Sequence, residues 1–308
     1  MIKSALEKIK VVGQGQACVD YSGHLLAFPL ENSKSELSNL NTSCGGPAST
    51  ALVTLSRLGI PCSFLGSVSD DIFGLEIVKC LEQEKVDTSQ LKITPGQTSQ
   101  FAFIAITKDT GNRTVFWHRG SAPELLSEEV NIGVFPDARI LHLDGLMLNA
   151  SMEAAMQARD LGMTIVMDGG TLREGSLKLA SMVDILIVSE TFARAFLASE
   201  THIENALYAL KELGPSQVAV TLGQNGSIGL NDKGMIHQDA FPVQTIDTTG
   251  AGDVYHGAYI YGVLQEWEMG ECMRFASASA ALKCSAMGAQ PRKKLSLKKI
   301  YDLINKAI

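Results

Sequence analysis

At 308 residues the chain is long enough for one large α/β domain or two ordinary ones. Its 33 acidic against 26 basic side chains leave a formal charge of −7, which argues against a nucleic-acid partner, because such binding rests on a basic face. No apolar window is long enough for a signal peptide or a membrane span, and the six cysteines (Cys18, Cys44, Cys62, Cys80, Cys272, Cys284) show no CxxC or CxH spacing; together these predict a cytoplasmic protein with no membrane partner and reduced thiols.

In chain order, Ile9–Val12 starts a strand that runs into Gly13-Gln14-Gly15. A dinucleotide fingerprint wants a third Gly or Ala where Cys18 stands, so that loop fails. No Gly-Lys pair occurs anywhere, which excludes a Walker A loop. Asp20, just past the first strand, is by itself an ordinary turn or cap residue. Gly45-Gly46-Pro47-Ala48 leads into Leu52, Leu55 and Leu58 at helical spacing, so the glycines precede a helix N-terminus with backbone free to approach a ligand. Phe101–Thr107 and Arg113–Trp117 flank Lys108-Asp109-Thr110-Gly111-Asn112, a hairpin turn; as a pattern this fits an edge hairpin of the main sheet. Arg119 follows, with Glu124 and Glu128 near enough to pair with it.

The second half alternates. Short apolar runs at Ile140–Leu143, Thr164–Met167, Ile185–Val188 and Val218–Leu222 are separated by helical spacing at Met152–Leu161 and Ile203–Leu213, which predicts βαβ units and a parallel sheet. Right-handed crossovers then put the ligand along one rim. Asp247-Thr248-Thr249-Gly250-Ala251-Gly252-Asp253 precedes an apolar helical run, Val254 to Leu264. Small residues let main-chain N–H groups close around an anion at the positive end of that helix, and Asp253 sits where a carboxylate can take a proton from an attacking hydroxyl.

That last segment, with Val254-Tyr255-His256-Gly257-Ala258, resembles the C-terminal signature of the PfkB (ribokinase-like) carbohydrate kinases, and the Gly45-Gly46 block ending in Arg57-Leu58-Gly59 resembles the N-terminal one. The resemblance spans Asp20 to Gly288. It implies a three-layer α/β fold over residues 1–308, with a mostly parallel central sheet and a small β lid from residues 20–40 and 97–119. Asp253 becomes the catalytic base and Gly250, Ala251 and Gly252 the anion hole. Asp20, Gly45, Gly46, Thr50 and Arg119 become sugar contacts, Thr50 standing where the family has Asn. Ser189, Thr221, Gly223, Gly226, Cys284 and Gly288 fall in the nucleotide region.

Two departures bear on metals. Ser189-Glu190-Thr191-Phe192 replaces the family's Asn-x-x-Glu, which leaves Glu190 as the available Mg²⁺ residue. Asp247 and Thr249 correspond to residues around a monovalent cation, but Arg292, after Gly288-Ala289-Gln290-Pro291, replaces a small hydroxyl residue, so a K⁺ requirement stays open. The expected activity is ATP- and Mg²⁺-dependent phosphorylation of a primary sugar hydroxyl. A ketose or ketose-derived acid is favoured, of the fructokinase, 2-keto-3-deoxygluconate kinase or sulfo-sugar kinase type. A ribokinase or a nucleoside kinase, with Trp117 stacking on a base, is the alternative within the family, and a sugar-binding regulator without turnover the alternative outside it. Pairing of lid edges would give a homodimer.

Overall fold

The computed structural model describes residues 8–198, 202–290 and 295–306; Pro291 and Arg292 lie outside these. Strands β1 (Val11–Gln14), β4 (Cys62–Leu65), β9 (Ile140–Leu143), β10 (Thr164–Gly169), β11 (Ile185–Ser189) and β12 (Gln217–Thr221) run parallel. Antiparallel β13 (Ser227–Asn231) and β14 (Gly234–Gln238) extend this sheet to eight strands, in the order β14-β13-β12-β11-β10-β9-β1-β4. The apolar runs read from sequence are β9 to β12, within two residues at each end.

Both faces of the parallel strands are buried, as near-continuous Val, Ile and Leu runs require. Val11, Val166 and Ile187 point into one core, with α1 (Pro47–Arg57), α2 (Ile72–Gln83), α7 (Ala251–Leu264), α8 (Met269–Cys284) and α9 (Leu297–Lys306). Val12, Ile165, Met167, Leu186 and Val188 point into the other, with α3 (Leu148–Asp160), α4 (Ser176–Ala180), α5 (Glu190–Leu197) and α6 (Glu204–Lys211). Helix α7 is buried from Val254 to Gly262 because it is wedged between α1 and α8. A Cβ on Gly257 would lie 2.5 Å from the Ala51 carbonyl, so that glycine sets the approach of α1 and α7. The two glycine-rich helix starts therefore open side by side.

The hairpin is not an edge of this sheet. β2 (Cys18–Leu25), β3 (Ser38–Gly45), β7 (Phe101–Thr107) and β8 (Arg113–His118) form a separate four-stranded sheet in the order β3-β2-β7-β8. A short parallel pair, β5 (Ser67–Ser69) with β6 (Lys92–Thr94), joins the two regions of chain. Side chains alternate across the small sheet, which sends Cys18, Asp20, Ala102, Ile104, Arg113, Val115 and Trp117 toward the rim of the large one.

One expectation is corrected here. Cys44, near the end of β3, and Cys80, in α2, form a disulfide with Cα atoms 6.5 Å apart. Their separation of 36 residues gave no spacing signal; packing of α2 beneath the small sheet brings them together. Cys18, Cys62 and Cys272 are buried free thiols and Cys284 is half-buried. Among the described residues no helix is long and apolar enough to cross a membrane.

Candidate active site

The carboxyl ends of β9 to β12, the small sheet and the starts of α1 and α7 enclose a cleft of about 520 Å³. This is where ligands bind in open α/β sheets. Gly250 begins α7 in the left-handed region (φ 75°), and a Cβ there would lie 2.8 Å from the Ala289 side chain, so both conformation and packing demand glycine. No side chain caps this helix. The Ala251 N–H closes a turn on the Thr248 carbonyl at 3.2 Å, which leaves the N–H groups of Gly252 and Asp253 facing the cleft. A Cβ on Gly252 would meet nothing within 4 Å, so the space above it is open. The Thr249 hydroxyl, buried and without a partner among the described residues, lines the same wall.

Asp253 stands half-buried beside this nest. Burial, reinforced by the nearby Asp168 carboxylate and opposed by His256 and Arg113, pushes its carboxyl up to about 7. Asp168, at the end of β10, is itself raised by burial and lies 3.5 Å from His256 Nδ1. His256 sits one turn below Asp253 and faces the Gly252 carbonyl at 2.7 Å and the Ile187 carbonyl at 3.3 Å. It therefore ties the first turn of α7 to β11.

Across the cleft Asp20, 4% exposed, has its carboxyl pushed up to about 6 by burial, although the Cys18 thiol donates to it at 3.1 Å. The paired glycines now have separate reasons. A Cβ on Gly45 would fall 2.0 Å from Asp20 Oδ2, while Gly46 (φ 97°) passes so close to Gln16 that its Cβ would lie 2.4 Å from that carbonyl oxygen. Arg119, at the rim, pairs with Glu124 at 3.1 Å and lies over the Trp117 ring at 5.3 Å, so its pairing and its cleft position coexist. Arg113 donates to the Thr248 hydroxyl at 2.7 Å and so bridges the small sheet to the anion loop.

Several expected residues stand elsewhere. Thr50 is on the inner side of the first turn of α1, 1% exposed, and accepts from Gln290 Nε2 at 3.3 Å; it does not reach the cleft. Glu190 is held in an ion pair with Arg194 one helical turn away, at 2.6 Å, and is also off the cleft. Ser189 caps α5 by accepting from the Phe192 N–H and donates to the Gly170 carbonyl, and with Thr221 it lines the cleft. Gly223 and Gly226 shape the β12–β13 turn; a Cβ on Gly226 would lie 2.0 Å from the Gln238 carbonyl. Cys284 and Gly288 lie behind the anion loop. The Cys284 carbonyl accepts from the Ile246 and Asp247 N–H groups, and the Gly288 N–H donates to Asp247 Oδ2 at 2.8 Å.

Asp144, Asp168, Arg173 and His256 line the cleft without having been singled out from sequence. His256 had a local signal, since it lies three positions after Asp253 and so on one face of the same helix. Asp144 and Asp168 had a weaker one: each ends an apolar strand run at the rim. Asp144 accepts the Gln16 N–H at 2.6 Å and the Leu146 N–H at 3.0 Å, and burial raises its carboxyl to about 7.

Residues 8–295 match the family model for pfkB family carbohydrate kinases. The chain belongs to the pfkB family. Among curated proteins, this pfkB kinase is 28% identical over 280 residues to a nucleoside kinase of Methanothermobacter thermautotrophicus, covering 90% of this chain and 89% of that protein. It is 28% identical over 297 residues to a 5-dehydro-2-deoxygluconokinase of Clostridium perfringens, covering 89% and 87%. The solved structure of Arabidopsis thaliana ribokinase, complexed with ribose and ATP, superposes with a TM-score of 0.79 at 23% identity, covering 96% of this chain and 98% of that one. The fold is ribokinase-like, and the enzyme is a sugar kinase of the phosphotransferase class.

Proposed function

We propose that this pfkB kinase transfers the γ-phosphoryl group of ATP to a primary hydroxyl of a ketose or ketose-derived acid. The observation that carries the reading is Asp253. It is a carboxyl raised to about 7, at the uncapped start of a buried helix, beside open main-chain N–H groups. The acceptor hydroxyl donates to Asp253; as its oxygen bonds to phosphorus the proton passes to the carboxylate, and the bond from phosphorus to the bridging oxygen breaks to release ADP. The Gly252 and Asp253 N–H groups and the Thr249 hydroxyl take the charge on the equatorial oxygens, so positioning and electrostatics supply most of the acceleration.

Among the described residues no cluster of three or more His, Cys, Asp or Glu could cage a metal. That suits Mg²⁺ arriving on the triphosphate, since this ion keeps waters and phosphate oxygens in its shell. When bound, it neutralises charge on the transferred group. Ser189 and Thr221 are the residues on the nucleotide side of the cleft. Arg113, joining β8 to Thr248, supports the small sheet acting as a lid that excludes water once substrate is held. Its outer face shows Phe28 and Phe116, each about half exposed, which supports a second copy of the chain covering it.

Arg119 and Arg173 favour an acidic sugar, because both line the cleft and guanidinium matches a carboxylate in two-pronged geometry. A nucleoside acceptor is favoured by a different observation: the Trp117 ring lines the cleft, half exposed, with a face on which a base could stack. Coupled ADP release with MgATP against ketoses, aldoses, sugar acids, sulfo-sugars and nucleosides tests the reading. Turnover on ketoses or keto-acids supports it, turnover confined to nucleosides replaces it with the second, and silence with every acceptor overturns both.

A further inference from the structure

The cation behind the anion loop is part of the chain. Lys283 lies in the last turn of α8, 2% exposed, at a position the mechanism above leaves unused. Its Nζ donates to the main-chain carbonyl of Asp247 at 2.6 Å and to that of Ala286 at 3.4 Å, and lies 3.9 Å from Asp247 Oδ2. Every one of these neighbours is an acceptor, which suits a protonated ammonium. Asp247, fully buried, is the hub of the loop: Oδ1 accepts the Thr249 N–H at 2.8 Å and Oδ2 the Gly288 N–H at 2.8 Å. A free monovalent cation on Asp247 and Thr249 would need the carbonyl and carboxylate oxygens that already hold Lys283 and the two N–H groups. The residues present therefore do not fit such an ion.

We propose that Lys283 is a positioning residue whose tethered ammonium fixes Asp247 and, through it, the loop from Thr248 to Asp253, so that phosphoryl transfer by this enzyme needs no added monovalent cation. The ammonium compensates a carboxylate with no access to water, and a buried charge left alone is strongly unfavourable. It also keeps a fixed positive charge on the far side of the loop from the transferred phosphoryl group. The proposal rests on the kinase reading, so its test carries a readout that does not need the acceptor sugar.

That readout is the affinity for Mg²⁺ with the non-hydrolysable analogue AMP-PNP, measured by calorimetry in N-methyl-D-glucamine buffer. ADP release on the best acceptor is measured alongside. For the native chain, replacing N-methyl-D-glucamine by K⁺ or NH₄⁺ at constant ionic strength should change neither quantity by more than about twofold, since screening is held constant and Lys283 already fills the position. Lys283→Ala should lose roughly tenfold or more in both, less than the loss from a directly bonded anion-hole donor. NH₄⁺ or K⁺ should restore part of that loss and N-methyl-D-glucamine none, a specificity that a purely structural defect would not show. Activation of the native enzyme by K⁺ or NH₄⁺ beyond about fivefold would overturn the proposal whether or not the variant folds, since a filled site leaves nothing to rescue. Unchanged binding and turnover in a folded Lys283→Ala would overturn it equally. Absent ADP release with intact analogue binding would fail the kinase reading instead, and the binding comparison would still decide the role of Lys283.

Discussion

Asp20→Asn should make the enzyme more stable and a poorer binder of its sugar. Burial lifts the Asp20 carboxyl from its ordinary 3.8 to about 6, so the folded state holds that proton more tightly than the unfolded chain does. The group is neutral in both states only well below pH 4, costs increasing stability as pH rises from about 4 to 6, and costs a constant amount above. At about 1.4 kcal/mol for each tenfold change in proton affinity, the full cost is about 3 kcal/mol, an upper value for a side chain this enclosed. Asn keeps the shape, still accepts from the Cys18 thiol, and removes the charge. Urea unfolding at pH 4, 6 and 8 should show the variant within about 0.5 kcal/mol of the native chain at pH 4 and more stable by up to about 3 kcal/mol at pH 8. Loss of charge-assisted bonds to the sugar hydroxyls, at roughly 1.5–3 kcal/mol each, should raise the sugar KM by about tenfold or more. An Asn variant less stable at pH 8, or one with an unchanged KM, would refute the assignment of Asp20 as a strained substrate ligand.

Three other outcomes are expected. Because Asp253 must be ionised to accept a proton and its carboxyl is raised to about 7, kcat/KM should fall tenfold per pH unit below that value; Asp168→Asn should move this limb to lower pH and Arg113→Ala to higher pH, since the first removes a repelling charge and the second an attracting one. Gly250→Ala forces a left-handed conformation and a contact with Ala289, so calorimetry should show a loss of roughly 1–3 kcal/mol, and turnover should drop by about 10²-fold as the loop shifts. Thiol titration of the denatured, unreduced chain should find four free thiols, and reduction should raise this to six while lowering stability by about 3–4 kcal/mol; six thiols before reduction would remove the Cys44–Cys80 bond.

The parallel strands were readable from sequence because strands buried on both faces need unbroken apolar runs, and the helices between them need a different period. The anion loop was readable for the same kind of reason: small residues, an acid and an apolar helix lie in one contiguous stretch. What escaped depends on contacts between distant segments. Thr50 meets Gln290, 240 positions away. Glu190 is the exception: its partner Arg194 is one turn along the same helix, a local pair whose spacing was legible in the sequence. Asp168 meets His256 only when β10 lies under α7, and the disulfide needs α2 to pass beneath β3. Lys283 had a faint local mark, a cation closing the run of small and apolar residues from Phe275 to Leu282, whose partner, Asp247, lies 36 residues upstream.

The measurement that bears most directly on the whole account is single-turnover ADP release by Asp253→Asn beside the native enzyme, on whichever acceptor the native enzyme uses. MgATP binding should be checked by calorimetry in both proteins. The account predicts retained nucleotide binding and turnover lower by at least roughly 10²-fold, the low end for loss of a general base. A folded Asn variant that binds MgATP and turns over within a few-fold of the native rate would remove Asp253 from the chemistry and contradict the mechanism.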